Sequence, residues 1–362
     1  VVIGREPIAI PAKGHSKGEA VIENKIPATT IAGSYDSVVY CTVCGIELSR
    51  ENVEIPAAFN IKCATLIYDD MIQIRYKYVG TVDGATKYGM LVFASAEDAA
   101  TLDPTKAVQD KELVEYSEGR YGYTDGIAAK AMGDSQYVVG YVVLEDGTVA
   151  YTAMVEYSPR IYAQRMTEKS TSSPETKALC KALMQYGAAA QVYFNYNVDD
   201  LMNAGFESVE YDANVLGESI FSVDTNETNG FTAKSATLLF EGAITYRVKY
   251  TVNSAIADKQ LYAEYTIDGI TKTGSVELVK EGNAYFAYIS GIAGKDMDEK
   301  IVIKPYYVDD NGDKVYGAEL VYSGYEYSRR TITNSSNANS IALAKAFAMY
   351  VNAVDAAIKA GK

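Results

Sequence analysis

The chain contains itself twice, and nothing else in it restricts the architecture as strongly. Ala64 to Tyr78 (ATLIYDDMIQIRYKY) returns as Ala236 to Tyr250 (ATLLFEGAITYRVKY). Gly126-Ile127-Ala128 with Lys130 and Met132 returns as Gly291-Ile292-Ala293 with Lys295 and Met297. From Gly126 onward the offset holds at 165 residues through Tyr141/Tyr306, Gly147/Gly312, Tyr151/Tyr316, Tyr157/Tyr322, Tyr162/Tyr327 and Arg165/Arg330. It becomes 164 in a closing segment, where Leu179, Ala182, Tyr186 and Ala189 answer Leu343, Ala346, Tyr350 and Ala353. Two related domains follow, and 362 residues suffice for each to bury its own core. We expect domains over 59–198 and 199–362, preceded by a small module over 1–58.

Local patterns give each copy the same content. Ile61 to Tyr78 and Tyr88 to Ala94 alternate and carry β-branched or aromatic residues, as strands do. Glu145-Asp146-Gly147 and Asp310-Asn311-Gly312 are hairpin turns whose glycine supplies the positive φ. Ser158-Pro159 and Ser173-Pro174 each open a helix, with a capping hydroxyl and proline at the first helical position. The longer helix carries Leu179, Ala182, Leu183, Tyr186 and Ala189 on one stripe, as Leu343, Phe347, Tyr350, Val351 and Val354 do in copy two. The expected fold is therefore mainly β with C-terminal helices (α+β): two tandem antiparallel β-sandwich, Ig-like domains, each helix lying on its own sheet. Asn195 to about Lys234 reads as a partly loose linker in which Val215 to Val223 adds an edge strand.

A net charge of −14 argues against nucleic acid, which is bound through clustered Lys and Arg, and against anionic lipid surfaces. No uninterrupted apolar run reaches the roughly 18 residues of a membrane span. Tyrosine is abundant, 31 against nine Phe, one His and no Trp. It suits strands whose rings pack while their hydroxyls keep polar partners. Tyr121 and Tyr123, in Gly119-Arg120-Tyr121-Gly122-Tyr123, are the candidate glycan-binding aromatics. The start at Val1, without initiator Met, reads as a piece of a longer chain.

Residues 1–58 hold two similar endings, Ala9-Ile10-Pro11-Ala12 and Val53-Glu54-Ile55-Pro56-Ala57, as if one complete module follows the tail of another. Cys41-x-x-Cys44 between them is half of a zinc knuckle, a zinc-ribbon-like hairpin in which His15 is the third available ligand. Thr30 stands where a third Cys would have helped. A bound zinc, a Cys41–Cys44 disulfide and free thiols all remain open. Cys63 and Cys180 are replaced together in copy two, by Ser235 and Ala344, as expected of a bonded pair tying helix to sheet. Asp309-x-Asn311-x-Asp313 has the spacing that opens a calcium loop, but Leu320 stands where the closing Glu belongs, so the hairpin turn explains it. With its one His in the small module, the chain lacks the makings of a His-based triad in either large domain. Asp134 and Glu299 are the matched carboxylates, one per copy and far too few for acid–base hydrolysis.

The stretch Gly14-His15 … Tyr40-Cys41-Thr42-Val43-Cys44-Gly45-Ile46-Glu47-Leu48-Ser49-Arg50-Glu51 … Ile55-Pro56-Ala57 resembles short repeats in large surface proteins of anaerobic Gram-positive, Clostridia-type bacteria. Leu183 to Asn197 (LMQYGAAAQVYFNYN) resembles the end of a β-rich domain found beside them. The resemblance implies an exported, cell-surface or secreted multidomain protein and transfers no catalytic residue. The expectation is a non-enzymatic module, monomeric within a longer chain, that spaces, adheres, or binds host or dietary glycans or surface proteins. The alternative is an accessory region of a secreted carbohydrate-active enzyme.

Overall fold

The computed structural model describes residues 14–68, 71–268 and 272–361. The Ala9–Ala12 ending assigned to a preceding module lies outside these residues. The small module is a three-stranded antiparallel sheet, β1 (Lys17–Ile26), β2 (Gly33–Cys41) and β3 (Glu47–Ile55), in that order. The sequence suggested a two-stranded hairpin, because β3 is mostly polar and lacks the apolar alternation that marks a strand. Polar side-chain contacts around Arg50 supplement the backbone pairing of β3. Arg50 reaches Glu23 at 3.0 Å, Asp36 at 2.8 Å and Glu47 at 2.8 Å. Asn24 and Asn52 also donate to Asp36, and these bonds with Arg50 bring its carboxyl down to about 2. Such exposed pairs contribute about 0–1 kcal/mol each, so backbone pairing is the larger part of this sheet's cohesion.

Copy one is a β-sandwich of β4 (Phe59–Ile67), β5 (Gln73–Gly80), β6 (Ala85–Phe93), β7 (Gln109–Glu112), β8 (Val114–Tyr116), β9 (Gly119–Tyr123), β10 (Gln136–Leu144), β11 (Val149–Tyr151) and β12 (Val155–Tyr157). One sheet runs β4-β5-β9-β8 and the other β11-β10-β6-β7, with β12 also on β10. The alternation of β5 sends Ile74, Tyr76 and Tyr78 inward against Met90, Val92, Val138 and Val142 of the facing sheet. The sheets approach so closely that a Cβ on Gly140 would sit 2.5 Å from the Tyr78 ring. A short helix, α1 (Ala96–Thr101), covers the outer face of the second sheet and makes a small second core of Leu91, Phe93, Ala99, Val139 and Tyr141.

After an edge strand β13 (Ser222–Val223), copy two repeats the plan with β14 (Phe231–Leu239), β15 (Thr245–Val252), β16 (Leu261–Ile267), β17 (Lys272–Glu277), β18 (Val279–Glu281), β19 (Ala284–Ile289), β20 (Ile301–Val308), β21 (Lys314–Tyr316) and β22 (Leu320–Tyr322). Its sheets run β14-β15-β19-β18 and β13-β22-β20-β16-β17, with β21 on β20. The two hairpin turns form as the sequence requires, with Gly147 at φ 82° and Gly312 at φ 89°. Asp309 accepts the Asn311 and Asp313 N–H groups at 2.9 Å each, which accounts for the calcium-like spacing as a side-chain turn.

Helices α2 (Pro159–Glu168) and α3 (Pro174–Phe194) close copy one, and α4 (Gly324–Asn334) and α5 (Ala338–Lys359) close copy two. Ser158, Ser173 and Ser323 cap the first three of these through their side-chain oxygens, and Asn337 caps α5. The helices do not serve their own sheets alone. α3 packs on α5, with the Tyr186 and Tyr350 rings stacked at 5.2 Å and 11°. Tyr186 also meets Phe240 of copy two edge-on at 6.1 Å. Because Tyr186 and Tyr350 are repeat equivalents, the contact joins like to like, as in a two-fold dimer, and a single apolar core runs through both copies. α5 is long and apolar enough to cross a bilayer, with a mean hydropathy of 1.5 over its most apolar window, an exception to the sequence reading. Here it is a core helix, its Leu343, Phe347, Tyr350 and Val351 inaccessible or nearly so.

The linker after α3 is fastened where a loose segment was expected. Asn195 ends the helix in the left-handed region at φ 52°, which turns the chain back along it. The buried Gln191 amide then donates to the Asn197 and Asp200 carbonyls at 3.3 and 3.1 Å, and accepts the Met202 N–H at 2.9 Å. Gln185 clamps Val209 in the same two-way manner, at 2.8 and 2.6 Å. Met202 fills the space above Gly187, where a Cβ would lie 1.8 Å from its sulfur. Copy two has Val351 at that position.

Candidate functional site

The Cys41–Gly45 turn joins β2 to β3 and is closed by Gly45 N–H to Cys41 carbonyl at 2.9 Å and Cys41 N–H to Ile46 carbonyl at 2.8 Å. Gly45, at φ 71°, supplies the left-handed step. Val43 N–H points at the Cys41 sulfur at 3.5 Å. The N–H groups of Cys44 and Val43 bring the buried Cys41 thiol down to about 6. The segment entering β1 lies against this turn, since Thr42 N–H donates to the Ser16 carbonyl at 2.9 Å. That contact brings His15 Nδ1 to 3.4 Å from Cys44 Sγ. The three residues singled out in the sequence thus converge, their ligand atoms all within 4.8 Å of one another. Thr30 belongs to the other end of the module. It precedes β2, whose nine residues span roughly 26 Å, and the neighbouring Thr29 carbonyl receives the Ala58 and Phe59 N–H groups at the next domain. A cysteine at position 30 would not have completed the site.

Tyr121 and Tyr123 lie on the outer face of the first sheet of copy one, and Tyr121 is not an open platform. It is 6% exposed, roofed by Arg75 at 5.0 Å and Lys77 at 5.4 Å, flanked by Tyr116, and hydrogen-bonded to Glu118 at 2.9 Å. Tyr123 is paired with Arg75 across strands; its partial burial, with the Tyr116 hydroxyl adding to the effect, raises its hydroxyl pKa against the opposing pull of Arg75. Copy two repeats the arrangement, with Arg247 over Phe286 at 3.8 Å and its Nε on the Tyr288 hydroxyl at 3.0 Å. Both arginines lie over an aromatic ring, and Arg247 is also ion-paired with Glu281 at 2.8 Å.

The expected Cys63–Cys180 bond is absent. Cys63 pairs with Lys77 across strands after a bulge at Lys62, which puts it on the exposed outer face, whereas Cys180 is fully buried on the inner face of α3. They vanish together in copy two for separate reasons, one a surface position and the other a core position. Burial pushes the Cys180 thiol up to about 12. In a timed thiol-labelling assay on native reduced protein, Cys63 should react promptly and Cys180 only after unfolding; equal protection of both would contradict this arrangement.

Of the matched carboxylates, Asp134 accepts a hydrogen bond from the Tyr196 hydroxyl, an ordering contact. The perturbed acid is next to Glu299. Asp298 is part-buried, its Oδ1 lacks a hydrogen-bond partner, and burial, with Glu299 and Asp355 nearby, raises its carboxyl to about 6. Tyr325 and Lys359 also face it. A folded-state pKa above the unfolded value means that the native state is penalised as pH rises from about 4 through 6. Asp298→Asn should therefore stabilise by about 1–2 kcal/mol at pH 7.5, after discounting for solvent screening, and by almost nothing at pH 4. Urea unfolding at the two pH values checks it; an equal change at both would refute it.

No known protein family matches the chain, and no curated protein does. Solved structures that align with it include chicken CNTN1 FN1-FN3 domains (7% identity, 80% of this chain and 78% of that one, TM-score 0.19). A 1.5-MDa bacterial ice-binding adhesin aligns at 9% identity over 81% of this chain and 74% of that one, TM-score 0.18. An alpha-L-rhamnosidase from Dictyoglumus thermophilum aligns at 8% identity over 73% of this chain and 30% of that one, TM-score 0.20. At such TM-scores none of them says what this chain does. The fold itself defines the class: tandem antiparallel β-sandwiches closed by helices.

Proposed function

We propose that the chain is a non-catalytic extracellular segment of a larger surface protein, in which the two sandwiches act as one stiff spacer and the three-stranded sheet as its stalk. The observation that carries this reading is the shared core. Residues repeated between the copies build sheets, turns and the α3–α5 contact, so duplication has produced one body rather than two independent binding units. The roofed state of Tyr121 supports spacing over glycan capture, which uses open aromatic faces. The acidic charge of −14 and the likeness of the stalk to repeats of Clostridia-type surface proteins support an exported setting. Glycan and mucin arrays, with surface proteins of the host as a second panel, test it. Silence on both is expected; saturable binding to either would replace spacing with adhesion.

A further inference from the structure

We infer that His15, Cys41 and Cys44 bind one zinc-class divalent ion, and that this ion ties the chain entering β1 to the β2–β3 turn. A tetrahedral zinc with Zn–S near 2.3 Å and Zn–N near 2.0 Å sets its sulfurs about 3.8 Å apart, and sulfur and nitrogen about 3.6 Å apart. The observed Cys44 Sγ to His15 Nδ1 separation is 3.4 Å, and no pair of the three ligand atoms exceeds 4.8 Å. Closure on an ion therefore asks for shifts of about an ångström, within the reach of side-chain rotation at an exposed turn. The backbone is already shaped for it. Val43 N–H aims at the Cys41 sulfur, the outer-sphere bond that orients and stabilises a metal thiolate.

Donor chemistry chooses the class of ion. Two sulfurs and an imidazole suit zinc and its borderline-soft neighbours, and exclude calcium and magnesium, which take oxygen. Three protein ligands leave a fourth position for water. Binding displaces the thiol protons and changes no oxidation state. Its mechanical consequence is local: residues 14–16, held now by the Thr42–Ser16 contacts, become fixed to the turn, so the direction in which the chain enters the stalk is set by the metal.

The test is a cobalt(II) titration of the reduced 362-residue chain followed by zinc. We expect one equivalent of cobalt to give a thiolate charge-transfer band and tetrahedral visible bands, both displaced by zinc. Cys44→Ser and Cys41→Ser should weaken binding at least a hundredfold and His15→Ala at least tenfold, whereas Cys63→Ser should leave it unchanged. All four positions lie outside the sandwich cores, and Cys44→Ser, at an exposed position, removes a ligand without emptying a buried site of the small sheet. Uptake below about 0.2 equivalent, binding that survives loss of either Cys41 or Cys44, or binding abolished by Cys63→Ser would overturn the assignment.

Discussion

Tyr186→Ala should destabilise the protein by about 3–5 kcal/mol and split its unfolding into two transitions. The first part is the ordinary result of emptying a large buried aromatic site. The second comes from where Tyr186 sits, stacked on Tyr350 at 5.2 Å and against Phe240 and Phe347, at the contact that makes the two copies one core. Tyr350→Ala, its repeat equivalent, should behave alike. The double variant should fall short of the sum by about 1 kcal/mol, the usual worth of a stacked pair. Tyr76→Ala, equally buried but inside copy one alone, is the control: it should destabilise without separating the copies. Differential scanning calorimetry reads all four. A single cooperative transition with strictly additive losses would show that the α3–α5 contact does not couple the repeats.

Gln191→Leu should cost about 2–3 kcal/mol although it nearly preserves volume. It removes the acceptor of the Met202 N–H and both donors that hold the linker, leaving a buried backbone donor unpaired. The visible consequence is release of residues 197–203, which limited proteolysis should detect as a new cut near Met202. Gln185→Leu should free the Val209 end in the same way, and the two losses should add, since they fasten different points of the linker. An uncut linker in Gln191→Leu would mean that Met202 packing over Gly187 alone holds it.

Much of this was legible in the chain. The offset of 165, the Glu145–Gly147 and Asp310–Gly312 turns and the Ser-Pro helix starts are local signals, and each formed where the residues required it. His15, Cys41 and Cys44 could be singled out as donors from the chain, but only the Cys-x-x-Cys turn is fixed locally; the approach of His15 comes from the Thr42–Ser16 contact. What failed were inferences about partners. Cys63 and Cys180 look coupled along the sequence, but the bulge at Lys62 turns one outward and the core keeps the other. Tyr121 reads as an accessible aromatic until cross-strand pairing brings Lys77 beside it and Arg75 over its ring. The apolar stripes of α3 and α5 show that each helix is buried, yet a stripe cannot say whether a sheet or another helix covers it.

The sequence alone therefore determined that there are two copies, what each is made of and where its turns and caps fall, because those follow from spacing, φ preference and capping chemistry within a few residues. Only the tertiary structure decided that the copies share one core, that the linker is strapped to α3, and that Arg75 roofs Tyr121. The linker bonds depend on the chain turning back along α3, the others join residues far apart in sequence, and burial of apolar surface, which drives the shared core, is indifferent to which apolar neighbour provides it.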